Sequence, residues 1–221
     1  MPKGRKPQKP KPQQLLVEGK NDRHVIWALC EQYNLPKTFS VELPPETEGE
    51  GVTALLASLA YQLKDKNLQT LGIVVDADED VTARWQAIRN RLQKIGYNNI
   101  PETPVREGWV YEQSELPKVG VWLMPNNQVP GMLEDFVAHL IPEGDKLQNK
   151  AEAILTEIEG EKLNRYPLVR RPKALIHTWL GWQESPGMPM GQAITAQVLL
   201  HNSSIAGTFV RWLGCLFDEE G

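Results

Sequence analysis

The stretch Leu71-Gly72-Ile73-Val74-Val75-Asp76-Ala77-Asp78 decides the fold of this chain. Its apolar run is short, unbroken and rich in β-branched side chains, which reads as a strand buried on both faces of a sheet. The run then stops on acid, since Asp76, Asp78, Glu79 and Asp80 fill four of the positions 76–80. Residues two apart in an extended chain point the same way, so Asp76 and Asp78 are expected to present both carboxylates to one point. An earlier apolar segment, Leu15-Leu16-Val17, closes in the same manner on Glu18 and breaks at Gly19. In a parallel α/β sheet the carboxyl ends of the strands border the functional crevice. Oxygen ligands gathered there suit Mg²⁺ or Mn²⁺, and a cation relieves the repulsion among clustered acids. The expectation is a centre for one or two ions built on Glu18, Asp76 and Asp78.

Outward from these two strand ends, strands and helices alternate. Gln13–Glu18 reads as a strand, followed by a helix to about Tyr33 that Asn21 or Asp22 can cap. Phe39–Leu43 reads as a short strand, and Val52–Lys66 places Leu55, Leu56, Leu59 and Leu63 on one helical face. Asp80 can cap a helix running to Ile95. Trp109-Val110-Tyr111 and the strand Val119–Met124 come next, then a turn over Pro125–Pro130 and a helix holding Leu133-Glu134-Asp135-Phe136. From Glu143 the pattern is helical, including Lys173–Trp182 and Ser203–Phe217. This order predicts an α/β fold with a mostly parallel central sheet flanked by helices, and a helical C-terminal extension. The expected division is a basic, Pro-rich, disordered tail (1–12), an α/β domain (13–141) and a helical extension packed on it (142–221).

Composition narrows the function classes. The chain has 221 residues, 41% of them hydrophobic and 24% charged, as in an ordinary globular protein. No run of about 18 apolar residues is present, and the N-terminus lacks the apolar core of a secretory signal, so a cytoplasmic location without membrane contact is expected. Cys30 and Cys215 fall in apolar helical patterns and are expected to be small buried hydrophobes. The net charge of -4 conceals an asymmetry. Lys3, Arg5, Lys6, Lys9 and Lys11 crowd the tail; without them 19 basic residues face 28 acidic ones, a balance of -9. The tail can serve as a phosphate-seeking arm or as a solubilising extension. No Walker-type glycine loop, Cys/His zinc spacing or nucleophile–His pair is present in the sequence.

Val17-Glu18-Gly19 followed by Asp22, together with Val75-Asp76-Ala77-Asp78, resembles the two signatures of the TOPRIM domain, shared by topoisomerases, bacterial-type primases and OLD-family nucleases. The resemblance covers roughly 13–141. Pro130-Gly131-Met132-Leu133-Glu134-Asp135 and the Trp-rich C-terminal part resemble small stand-alone prokaryotic TOPRIM proteins related to OLD-family nucleases. What the resemblance implies is metal-dependent hydrolysis of phosphodiester bonds in DNA or RNA. It also implies a role in phage or plasmid defence, with an ATPase supplied by a separate partner. Glu134 becomes the further acid of the metal set, and Glu18 can alternatively act as general acid or base. No clear equivalent of the lysine used by those nucleases stands out, Lys20 and Lys118 being the candidates.

Each acid also has a plainer reading. Asp22 and Asp80 can be helix caps, Glu79 a solvated neighbour, and Glu134 a first-turn acid favoured by the helix macrodipole. Arg84, Arg89, Arg91 and Lys94 line one helix, and Arg170, Arg171 and Lys173 form a denser basic cluster; either set can meet nucleic acid or lie on a solvated face. The acidic loop from Glu42 to Glu50 would repel a phosphate backbone. The alternative function is a non-catalytic module that binds nucleic acid or a partner protein.

Overall fold

The structure is a computed structural model and describes residues 11–45, 47, 49 and 51–218. Most of the basic tail, and Glu46, Glu48 and Glu50 of the acidic loop, lie outside the described residues. Five strands form one sheet in the order β2-β1-β3-β5-β4: β1 (Gln13–Val17), β2 (Ser40–Glu42), β3 (Thr70–Asp76), β4 (Trp109–Tyr111) and β5 (Lys118–Met124). All neighbours are parallel except β4, which runs antiparallel to β5 at the edge. Pro12, the last residue of the expected tail, is tied to the sheet: its carbonyl accepts the Gln69 N–H at 2.8 Å.

The continuous apolar strands are buried on both sides, and alternate residues feed opposite cores. Leu16, Leu71, Ile73, Val75, Val121 and Leu123 join α2 (Gly51–Gln62) and α3 (Val81–Ile95) on one face. Leu15, Val17, Val74, Trp122 and Met124 meet α1 (Lys20–Gln32), α4 (Leu133–Ala138), α6 (Arg171–Gly181), α7 (Met190–Thr195) and α8 (Ser204–Phe217) on the other. A small satellite core forms on α5 (Lys146–Gly160), where Ala151 and Leu155 meet Leu175 of α6. The C-terminal helices therefore complete one face of the sheet. Gly72 and Gly120 are register partners on β3 and β5, and a Cβ on either would lie within 3 Å of Leu216 in α8. Their missing side chains are what lets α8 sit down on the strands.

Several local expectations are corrected. The first helix starts at Lys20 with Gly19 as its N-cap, so neither Asn21 nor Asp22 caps it; Asp22 is a buried residue of the first turn. The helix after the acidic loop ends at Gln62, short of Lys66. The helix expected over Lys173–Trp182 ends at Gly181, with Trp182 as its C-cap residue and 40% exposed. Cys215 is exposed, and Cys30 is only partly buried. Asp80 does cap its helix, accepting the Ala83 N–H at 2.9 Å.

Candidate active site

From β1 the chain moves outward to β2 on one side, and from its neighbour β3 it moves outward to β4 and β5 on the other. Such a reversal opens a crevice at the carboxyl ends of the two central strands, the usual place for a ligand in an open α/β sheet. Glu18 follows the last residue of β1, and Asp76 is the last residue of β3. The Glu18 Oε1 accepts the Asp76 backbone N–H at 2.8 Å, which locks the two strand ends together. The Asp76 Oδ1 in turn accepts the Leu133 N–H at 2.9 Å, so this acid also holds the first turn of α4. Each carboxylate keeps a second oxygen for another partner.

Glu134, the next residue of α4, is buried, with 4% of its side chain exposed, and is met by the Lys173 Nζ at 3.2 Å. Asp22 lies buried in the first turn of α1. These acids feel one another. Burial pushes Glu18 up to about 7, with the Asp22 and Asp78 charges adding to it and the Asp76 N–H and Arg84 opposing. Burial pushes Asp22 up to about 6, with Glu134 adding and Lys173 opposing. Asp76 is raised well above the usual carboxylate range by burial and by the charges of Glu18, Asp22 and Glu134. Carboxylates from two strand ends and two helix starts thus lie near enough to oppose one another's ionisation, with Lys173 and Arg84 as the cations entering their balance.

Asp78 arrives by a different route from the one its spacing suggests. β3 ends at Asp76, and Asp78 has φ +54°, so the alternation of an extended strand does not set its direction. An antiparallel bridge fixes it instead: the Asp78 N–H donates to the Gly131 carbonyl at 2.9 Å and the Gly131 N–H returns the bond at 2.7 Å. Gly131 has φ +144°, and a Cβ there would meet the Asp135 Oδ2 at 2.8 Å. Asp135 needs that space, because it accepts the Met132 N–H at the start of α4. The Asp78 carboxylate pairs with Arg84 of α3.

The remaining candidates fall outside this group. Lys20 and Glu79 are exposed, and Asp80 serves as the α3 cap. Lys118 begins β5 and donates to the Cys215 carbonyl at 2.8 Å, at the far end of the sheet. An open cavity of about 990 Å³ lies at that same far end, lined by Gln13, Thr70 and Lys118, and so has no part in the acidic crevice. Of the basic cluster, Arg170 is exposed. Arg171 binds Glu159 at 3.1 Å and Thr156 at 3.2 Å, tying α6 to α5. Arg89 and Arg91 donate to the carbonyls of Ile100 and Ala87. Lys173, placed by its sequence neighbours in the basic cluster, belongs to the acidic crevice. Nothing local signals this, since Glu134 and Lys173 meet only when α6 packs on α4.

Among the described residues, no group of three or more His, Cys, Asp or Glu side chains converges closely enough to hold a metal ion as it stands. The chemistry of the donors nevertheless suits a hard divalent cation. Carboxylates that burial and mutual repulsion drive to bind protons near neutral pH exchange those protons for a cation with a gain in both terms.

No curated protein and no solved structure matches the chain. The sequence from residue 12 to residue 218 matches one family model, which spans both the sheet and the C-terminal helices. The chain belongs to that family, described as "Protein of unknown function (DUF3226)".

Proposed function

We propose that the acidic crevice is a divalent-metal centre for hydrolysis of phosphodiester bonds in nucleic acid. One observation carries the reading: Glu18 and Asp76 are tied together at the sheet's reversal point beside the buried Asp22 and Glu134, and burial raises the proton affinities of Glu18, Asp22 and Asp76. Purely structural acids would be expected to disperse or to find one cation each. Glu18, Asp76 and Asp78, with Glu134, would hold Mg²⁺ or Mn²⁺, Asp22 standing behind them. The bound ion would neutralise a scissile phosphate and lower the pKa of an attacking water. Lys173 keeps the charge of Glu134 compensated and has 48% of its side chain exposed, so it can reach a phosphate at the crevice mouth. As an alternative to ligating the ion, Glu18 is suited to carry a proton, because its affinity for one lies near neutrality. The resemblance to OLD-related proteins supports the same reading and extends it to a separate ATPase partner.

A second reading, a non-catalytic module binding nucleic acid or protein, is favoured by the pairing of Asp78 with Arg84 and of Glu134 with Lys173, which compensates two of the acids without a metal. The two readings are separated by incubating labelled single- and double-stranded DNA and RNA with the protein and Mg²⁺ or Mn²⁺, beside Asp76→Asn. Cleavage by the parent and not by the variant is expected. Failure of both to cleave, with no Mn²⁺-induced rise in melting temperature, refutes the metal centre.

A further inference from the structure

Arg84 occupies an unusual position at the edge of the crevice. It stands in the first turns of α3, whose start is fixed by the Asp80 cap, and its guanidinium donates to the Asp78 carboxylate through one terminal nitrogen. The arginine is the deeper partner, its side chain 16% exposed against 47% for Asp78. Its Nε is buried and has no hydrogen-bond partner among the described residues. A guanidinium carries five N–H donors in a planar fork, and a buried donor left unmade is costly. A single contact to the outer carboxylate therefore leaves the fork underused. The backbone of Asp78 is pinned by its bridge to Gly131, so the freedom in this pair belongs to the side chains.

We infer that Arg84 is an exchangeable counter-ion: it holds Asp78 until a divalent cation takes that carboxylate, and then presents its fork to a phosphate of the substrate. The inference rests on the metal-centre reading and adds a positioning residue to it. The guanidinium matches two phosphate oxygens as well as it matches a carboxylate, and a cation on Asp78 repels it from its first partner. The same residue thus shields the acid before metal arrives and recruits phosphate afterwards.

Two titrations test this, performed calorimetrically on the full chain and on Arg84→Gln and Arg84→Lys. Mn²⁺ alone is titrated first; inorganic phosphate, dilute enough to stay in solution, is then titrated at saturating Mn²⁺. Loss of a competing positive charge should tighten Mn²⁺ binding to Arg84→Gln about tenfold, while loss of the fork should weaken phosphate binding by about tenfold. Arg84→Lys should keep the parental Mn²⁺ affinity and lose phosphate affinity. A structural ion pair moves both affinities down together or neither, and either result overturns the inference. If Arg84→Gln does not fold, Arg84→Lys decides: unchanged phosphate binding overturns the exchange. Absence of Mn²⁺ binding by the parent removes the metal centre and the inference with it, whereas Mn²⁺ binding that is equal in parent and Arg84→Gln removes the inference alone.

Discussion

Glu18 and Asp76 each do two things, and the two pull against each other. Each accepts a backbone N–H that orders the crevice, and each is partly buried beside other acids that oppose its ionisation. Between the ordinary carboxylate range and about 7 the folded chain holds a proton on Glu18 that the unfolded chain has released. The folded state then binds more protons, so stability falls as pH rises through that window. Glu18→Gln keeps an oxygen for the Asp76 N–H and cannot ionise. At pH 8 it should unfold at higher denaturant than the parent, by about 3 kcal/mol if the whole shift is realised, with the difference vanishing near pH 4. Equal pH profiles for the two proteins would contradict this. Asp76→Asn and Asp76→Ala separate charge from capping. Both should lose the Mn²⁺-induced rise in melting temperature, but Asn retains the acceptor for the Leu133 N–H, and Ala should be about 1 kcal/mol less stable than Asn for want of it. Identical melting of the two would mean that the bond to α4 contributes nothing.

At the scale of elements, the crevice is the meeting of two strand ends with the starts of α1, α3 and α4, and α6 closes it. Some of this was legible in the sequence. β3 could be read because a two-sided strand leaves an unbroken apolar run, and α3 because Asp80 caps it and Gly96, with φ +119°, ends it. The start of α1 was misread because Gly19 caps through its extended backbone, leaving no side-chain signature, while the two cap-forming residues beside it lie inside the helix. The partner of Glu134 could not be read at all, since a lysine in a basic cluster carries no mark of the helix it will pack beside. That pairing joins α4 to α6. Lys173→Met strands a buried carboxylate and should destabilise the fold by about 2 kcal/mol, between the values for exposed and fully buried pairs. Adding Glu134→Gln removes the stranded charge and should restore at least half of the loss in a chemical-denaturation series. A double variant no better than the single would show that Lys173 acts through packing of its stem.

The molecule as a whole is held by a sheet whose two faces are covered by different parts of the chain, α2 and α3 on one side and mainly the C-terminal helices on the other. The expected layout has those helices as an extension packed on the α/β domain; apolar periodicity shows that a helix has a buried face without showing which strands that face covers. The missing information was in two glycines. Gly72 and Gly120 interrupt otherwise bulky strands at paired positions, and read together they mark a flat spot where another element comes close. Leu216 fills it, beside Trp212 and Phe217. Gly120→Ala forces a Cβ into Leu216 and should cost about 2 kcal/mol through overpacking. Leu216→Ala in the same chain should cost less than it does in the parent, since the new methyl occupies part of the space it vacates. The sharper test removes α8 entirely. Its loss would expose the sheet residues beneath Phe209, Trp212, Leu213, Leu216 and Phe217, five side chains that are each at most 2% exposed. At about 2 kcal/mol for each large apolar side chain, their burial equals the whole stability of a typical domain. A chain ending at residue 202 should therefore lack a cooperative thermal transition by circular dichroism. It should also fail to bind Mn²⁺, because β1, β3 and α4 lose the common core that sets the crevice. Cooperative melting of that shortened chain would establish that the α/β part stands alone and that its C-terminal helices are an added layer.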